Sequence, residues 1–212
     1  MANKAAEYIP FTGSSLLWRF LDSQSQSLLD VGCGTGRGGA IIRRHRGNIL
    51  MMGVDIFMPY LQSCRKNNIY NALIYCDARA LPFRKKTFDV AICREVIEHL
   101  ERQEGDELIK KLEQIARRQA IVTTPVGVYE QHECEGNPFQ EHKSLREPRD
   151  LRRLGYTVRG VGIRNMHGEQ GLQSHFPNSL AWLLDILYVL AGPVVYFLPE
   201  WACYMVCTKK LN

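Results

Sequence analysis

No Cys-x-x-Cys pair occurs among the seven cysteines, at positions 33, 64, 76, 93, 134, 203 and 207. Their odd number, and the apolar runs that hold most of them, read as free buried thiols in a reducing cytosol. Residues Met1–Glu7 have neither an apolar core nor a cleavage site, so no secretory signal is expected there. Internal repeats, low-complexity tracts and linkers are also missing. Neither sign of charge dominates: 27 Lys and Arg against 22 Asp and Glu leave +5. That balance permits an anionic partner without demanding one. The basic clusters Arg43-Arg44-His45-Arg46, Arg84-Lys85-Lys86, Arg117-Arg118 and Arg152-Arg153 are scattered and lack interleaved aromatics. Solvated helix ends and turns are expected for them, and a nucleic-acid groove is not. What is present is globular: 45% hydrophobic and 23% charged residues in 212, enough for one domain with a real core. Disordered, collagen-like and multi-span membrane chains are excluded.

Strand and helix patterns alternate. Gln26–Val31, Ile49–Ile56, Ala72–Asp77, Phe88–Cys93 and Gln119–Thr124 are short apolar runs that predict buried strands. Between them, Gly38–Arg46, Pro59–Asn67 and Glu101–Arg118 predict helices, and Ser14–Leu21 a short one ahead of the first strand. Such alternation means a parallel sheet covered on both faces. Beyond Pro125 the order changes. Val126–Glu141 reads as a long loop, Arg149–Leu154 as a short helix, and Tyr156–Ile163 and Ala202–Thr208 as strands.

The clearest chemistry lies in Asp30-Val-Gly32-Cys-Gly34-Thr-Gly36, between a predicted strand and a predicted helix. Glycines here let backbone N–H groups approach a ligand and aim a helix start at it. The spacing is GxGxG, not the GxGxxG of dinucleotide sites. Asp55 ends the second predicted strand, where a carboxylate can accept both ribose hydroxyls. Asp77 ends the third and can accept from an adenine amino group. An acidic residue beside the glycine loop disfavours a phosphate and favours a nucleoside carrying an amine or a cation.

LLDVGCGTGRGG, GVDIFMPYL, CDARALPF, FDVAICREVIEHL and IVTTP together resemble the successive motifs of class I S-adenosylmethionine (SAM) methyltransferases of the small-molecule type. The resemblance covers about residues 14–164. It implies an α/β, Rossmann-like, seven-stranded, mostly parallel sheet of order 3-2-1-4-5-7-6, with helices on both faces. It also implies SAM as cofactor. Asp30, Gly32, Gly34 and Gly36 would hold the methionine part, with Arg94 near its end. Asp55 would hold the ribose, Ile56 and Phe57 would face the adenine, and Asp77 and Ala78 would cap its edge. Methyl transfer needs alignment and exclusion of water more than covalent help, because the sulfonium is already activated.

Glu95, Glu98 and His99 follow the fourth strand at i, i+3 and i+4, a spacing that one helical turn brings to one face. With His142 further on, this Glu-x-x-Glu-His is similar to the ubiquinone-biosynthesis O-methyltransferases and to the small-RNA 2′-O-methyltransferases. In those families such residues hold a divalent ion near the acceptor hydroxyl. Carried over, the ligands are Glu95, Glu98, His99 and His142, and the ion is Mg²⁺, Mn²⁺, Fe²⁺ or Zn²⁺. Two other readings stand beside this one. His99 acts without metal as an acid–base or substrate-orienting catalytic residue with Glu95 and Glu98, or the group is structural.

Leu180–Leu198 holds 19 residues with one charge, Asp185, and a Gly192-Pro193 break. A buried helix pair over the sheet, or a lid that lines an apolar acceptor site or touches a bilayer surface, is expected; a membrane span is not. The chain reads as one domain over residues 1–212, with this apolar helical insertion at 176–200 before the last strand. The expected function is O-methylation of a small, fairly apolar or lipid-linked acceptor in the cytoplasm, with peripheral membrane contact left open. The alternatives are an RNA 2′-O-methyltransferase and a catalytically silent SAM-binding module that serves a partner.

Overall fold

The computed structural model describes residues 8, 11–127, 136–164 and 181–211, apart from the side chains of residues 14, 181, 182 and 185. Seven strands form one sheet: β1 (Ser27–Val31), β2 (Leu50–Asp55), β3 (Ala72–Tyr75), β4 (Phe88–Arg94), β5 (Ala116–Pro125), β6 (Thr157–Ile163) and β7 (Ala202–Lys210). Their order is β3-β2-β1-β4-β5-β7-β6, the order implied by the sequence motifs. The first five run parallel, and β7 is antiparallel to both β5 and β6. The helices are α1 (Gly13–Arg19), α2 (Arg37–His45), α3 (Met58–Lys66), α4 (Arg102–Ile115), α5 (Pro148–Arg153) and α6 (Ala181–Phe197).

The two-residue period of the strands divides the core. On β1 and β4, Leu28, Val90 and Ile92 face Leu17, Ile41 and Ile42 of α1 and α2. Leu29, Ala91 and Cys93 face Leu108, Leu112 and Ile115 of α4. Both faces are therefore covered, and the central strands carry apolar residues on each. Every parallel strand delivers its carboxyl end to one edge of the sheet.

Three sequence expectations are corrected. The helix expected over Glu101–Arg118 ends at Ile115, and Arg117 and Arg118 open β5. Long-range partners decide this: Arg117 pairs with Asp89 at 3.1 Å, and Arg118 with Asp22 at 3.3 Å. Those two arginines are thus structural ties rather than solvated caps. Arg43 is another, donating to the Ile69, Gly47 and Ile49 carbonyls and to Asn71. The third strand stops at Tyr75, which leaves Asp77 outside it as the cap of a short turn, Ala78–Ala80. The apolar segment forms one continuous helix through Gly192 and Pro193 instead of a pair. It packs on β6 over Gly160, where an added Cβ would strike the Val195 carbonyl. The first five residues of the expected insertion, 176–180, and Cys134 lie outside the described residues, as does the Asp185 side chain.

Candidate active site

A cleft of about 580 Å³ opens at the carboxyl edge of β1, β2 and β4. Its floor is the loop between β1 and α2. Gly32 has φ +69, and a Cβ there would collide with Val96. Gly34 has φ +54, and a Cβ there would meet nothing within 4 Å, because the space in front of it is the cleft. Both needs, a left-handed backbone and a bare surface, are met only by glycine. Gly36 does not line the cleft. It starts α2, packed against Ile69 and against the Cys64 thiol, which would lie 2.9 Å from its Cβ. Cys64 in turn donates to the Gly34 carbonyl at 3.2 Å, pinning the loop from below.

Asp55 is held open for a ligand. Its Oδ2 accepts from Gly34 N at 2.8 Å and its Oδ1 from Phe57 N at 2.9 Å. Each oxygen keeps a second lone pair, and the carboxylate lines the cleft. Burial raises its pKa, opposed by those N–H donors. Ile56, Asp77 and Ala78 line the same wall. Asp77 already accepts from the Arg79 guanidinium through both oxygens, at 3.0 and 2.6 Å, and this holds its pKa low. Asp30, by contrast, lies behind the wall. It is 1% exposed, accepts from Tyr70 Oη at 2.6 Å, and does not line the cleft. Strand alternation turns it beneath the loop, and its Oδ1 has no partner among the described groups. Arg94 reaches the cleft by lying against Gly38, whose missing Cβ makes room for the guanidinium. Its Nε is buried without a hydrogen-bond partner among the described residues.

The other side of the cleft carries Glu95, Val96 and His99. Glu95 has φ +52, a conformation costly for a residue with a Cβ. Two bonds from β5 hold it there. Its N–H donates to the Thr123 carbonyl at 3.0 Å, and its Oε1 accepts from the Thr123 hydroxyl at 2.6 Å. His99 Nδ1 lies 3.1 Å from the Glu141 carbonyl. A proton on Nδ1 satisfies that contact and leaves Nε2 as an acceptor. Burial holds the imidazole below its usual 6.5, so it is neutral at pH 7. Glu98 is buried and does not line the cleft. Its Oε2 accepts from the Thr124 hydroxyl at 3.1 Å, while Oε1 has no partner among the described groups. Burial and the nearby Glu95 charge push its pKa well up.

Of the four expected metal ligands, Glu98, His99 and His142 come together, with ligand atoms within 4.8 Å of one another. Glu95 is not in that group; its Oε1 is bound to the Thr123 hydroxyl. His142 arrives although 42 residues separate it from Leu100, because Lys143 N and Ser144 N both donate to the Glu98 carbonyl, at 2.8 and 3.1 Å. The sequence reading missed Tyr60, Arg79, Asn137, Phe139 and Lys143, which also line the cleft. Tyr60 sits on the first turn after Asp55, a place the motif itself marks. Residues 137–143 have no such signal.

Residues 29–123 match a family described as "Methyltransferase domain". A malonyl-[acyl-carrier protein] O-methyltransferase of Xylella fastidiosa is 38% identical over 34% of this chain and 27% of its own length. The chain thus spans only about a quarter of that relative. Among solved structures, a SAM-dependent methyltransferase from Archaeoglobus fulgidus superposes with TM-score 0.57 at 16% identity, over 88% of this chain and 86% of that one. The plantazolicin methyltransferase BpumL, bound to S-adenosylhomocysteine (SAH), gives 0.58 at 14% identity, over 98% and 84%. At such identities these structures speak for the fold. The sheet order, the glycine loop at the cleft floor and the match over 29–123 agree: residues 29–123 match a methyltransferase domain, and the described chain has the fold of these solved methyltransferases.

Proposed function

We propose that the cleft binds SAM and transfers its methyl group to a hydroxyl or carboxyl oxygen of a small, apolar or lipid-linked acceptor. The observation that carries the reading is the pairing, within one cleft, of a ligand-facing Gly34–Asp55 wall with a neutral His99 on the opposite side. On this reading Asp55 takes the ribose hydroxyls, Ile56 and Ala78 flank the adenine, and Arg94 takes the methionine carboxylate. Asp30 acts from behind the loop through Tyr70. For a hydroxyl acceptor, His99 Nε2 accepts the proton as the oxygen attacks the methyl carbon, whereas a carboxyl acceptor attacks as the ionised carboxylate; in both cases the carbon–sulfur bond breaks to leave SAH. Glu95 orients the acceptor. The O-methyltransferase name of the curated relative supports oxygen as the nucleophile.

SAH release from SAM should be followed with a panel of apolar alcohols and acyl carboxylates. His99→Ala should lower turnover of the alcohols by about 10²–10⁴-fold, the usual share of a positioned base, with SAH affinity unchanged. Equal turnover in the variant would remove His99 from the chemistry.

A second reading is favoured by the Glu98–His99–His142 group and the unpartnered Glu98 Oε1. These three residues fit a divalent cation, which would supply Lewis-acid activation of the acceptor hydroxyl. EDTA should then stop turnover while SAH still binds, and one divalent metal should restore it. Turnover indifferent to chelator would leave His99 as a metal-free base.

A further inference from the structure

We propose that the outward face of α6 docks on an anionic lipid bilayer, bringing the cleft edge of the sheet to the membrane. The helix has no Lys or Arg over its 17 residues. Leu184 and Val195 are buried against the sheet, whereas Leu190 is 70% exposed and Phe197 64%. At 100° per residue, the exposed apolar side chains of the helix run from Val189 on one flank through Leu190 to Leu187 on the other, about 160° of its circumference. A second helix would need only the narrower stripe of a coiled-coil seam. A half-cylinder of apolar side chains suits a lipid phase, in which an interfacial helix lies flat with that half immersed. Among the described residues no helix is long and apolar enough to cross a membrane, so α6 would lie on the bilayer and not through it.

The rim supplies the charge. The Arg159 guanidinium lies 5.2 Å from the Tyr196 ring centre and 5.5 Å from that of Phe197, at the border of the apolar face. Arg152 on α5 pairs with Glu200 in the turn Pro199–Trp201, which offsets its charge and leaves the attraction to Arg159. Trp201, 65% exposed, adds an aromatic ring of the kind favoured at headgroup depth. Cationic side chains at an apolar border attract anionic headgroups. This turn leads directly into β7, whose Tyr204 pairs with Pro125 at the carboxyl end of β5, the same sheet edge that carries Arg94 and Glu95. Docking therefore places the cleft next to the surface where a lipid-linked acceptor resides.

The purpose of the contact rests on the lipid-linked reading of the acceptor, but binding is read without any acceptor. The whole chain should be floated with phosphatidylcholine vesicles, with and without phosphatidylglycerol. Preferential flotation with the anionic vesicles is expected, together with a blue shift of tryptophan emission that Trp201→Phe reduces. Leu190→Glu should lower vesicle binding at least about tenfold, and Arg159→Gln should narrow the preference for anionic lipid. Both variants should keep the wild-type SAH affinity, which shows that they fold. Wild-type chain that ignores anionic vesicles overturns the proposal, as does Leu190→Glu that floats like wild type. So does a solution dimer that Leu190→Glu dissociates, because a second copy would then cover the face. Methylation of only water-soluble acceptors, with vesicle binding intact, would remove the acceptor reading and leave the docking surface standing.

Discussion

The two walls of the cleft are built by different means. On the side proposed for the cofactor, the loop, Asp55 and the first turn of α3 lie close in sequence and are tied by main-chain donors, Gly34 N and Phe57 N. On the side proposed for the acceptor, Glu95, Glu98 and His99, just after β4, and His142 are held by side-chain hydroxyls of β5 and by long-range main-chain bonds. A wall made of backbone recognises one constant ligand. A wall made of side chains can change its acceptor without disturbing the first.

The largest expected effect tests the backbone wall. Gly34→Val should weaken SAH binding by more than about a hundredfold, because the new side chain fills the cleft and strains a φ of +54. Its circular dichroism should stay native, since a Cβ there touches no protein atom. Calorimetry that finds wild-type affinity would break the comparison. A middling effect tests the other wall. Thr123→Val removes the hydroxyl that holds Glu95; a hydrogen bond to a carboxylate is worth about 1.5–3 kcal/mol, so turnover should fall by about tenfold or more while SAH affinity is kept. A matching loss in Glu95→Gln, with no further loss in the double variant, would tie the two residues together. Loss of SAH affinity in Thr123→Val would show that the walls are not independent.

The smallest effect concerns the far edge of the sheet, where neither ligand reaches. Partial burial pushes Asp89 up, but the backbone N–H groups of Gln26 and Ser27 and the Arg117 guanidinium outweigh it and leave the carboxyl below its usual 3.8. A carboxyl with a lowered folded value stabilises the fold above its unfolded pKa and loses that contribution as pH falls through the folded value. Asp89→Asn should therefore flatten the stability profile in the acid window between the usual 3.8 and the lowered folded value, with no change in SAH affinity at neutral pH. Denaturant titrations at several pH values would show it; an unchanged acid limb would mean that Asp89 titrates alike in both states.

Most of the cofactor wall could be read from the chain because its signals are local. A strand, a glycine loop and a strand-ending Asp55 sit in one short stretch, and hydrophobic period separates strand from helix. Asp30 and Gly36 belong to the same stretch, yet the structure turns them under the loop. Sequence names the motif but not which way each side chain of it points. The acceptor wall was legible only as a cluster of candidates. Nothing near His142 announces that the main chain at residues 143 and 144 will hydrogen-bond to the Glu98 carbonyl. The end of α4 was misplaced for a similar reason: helical periodicity continues to Arg118, but Asp89 and Asp22 lie across the sheet and claim its arginines.

Gly38 and Arg94 carry a further consequence. A guanidinium occupies the volume that any Cβ at position 38 would need, so the two positions share one space across 56 residues of chain. A side chain at 38 would have to push the Arg94 guanidinium, the far end of a flexible side chain, out of that place or be matched by a shorter residue at 94. Either way the cation that lines this end of the cleft moves or is lost, so a change at the start of α2 is felt at the end of β4.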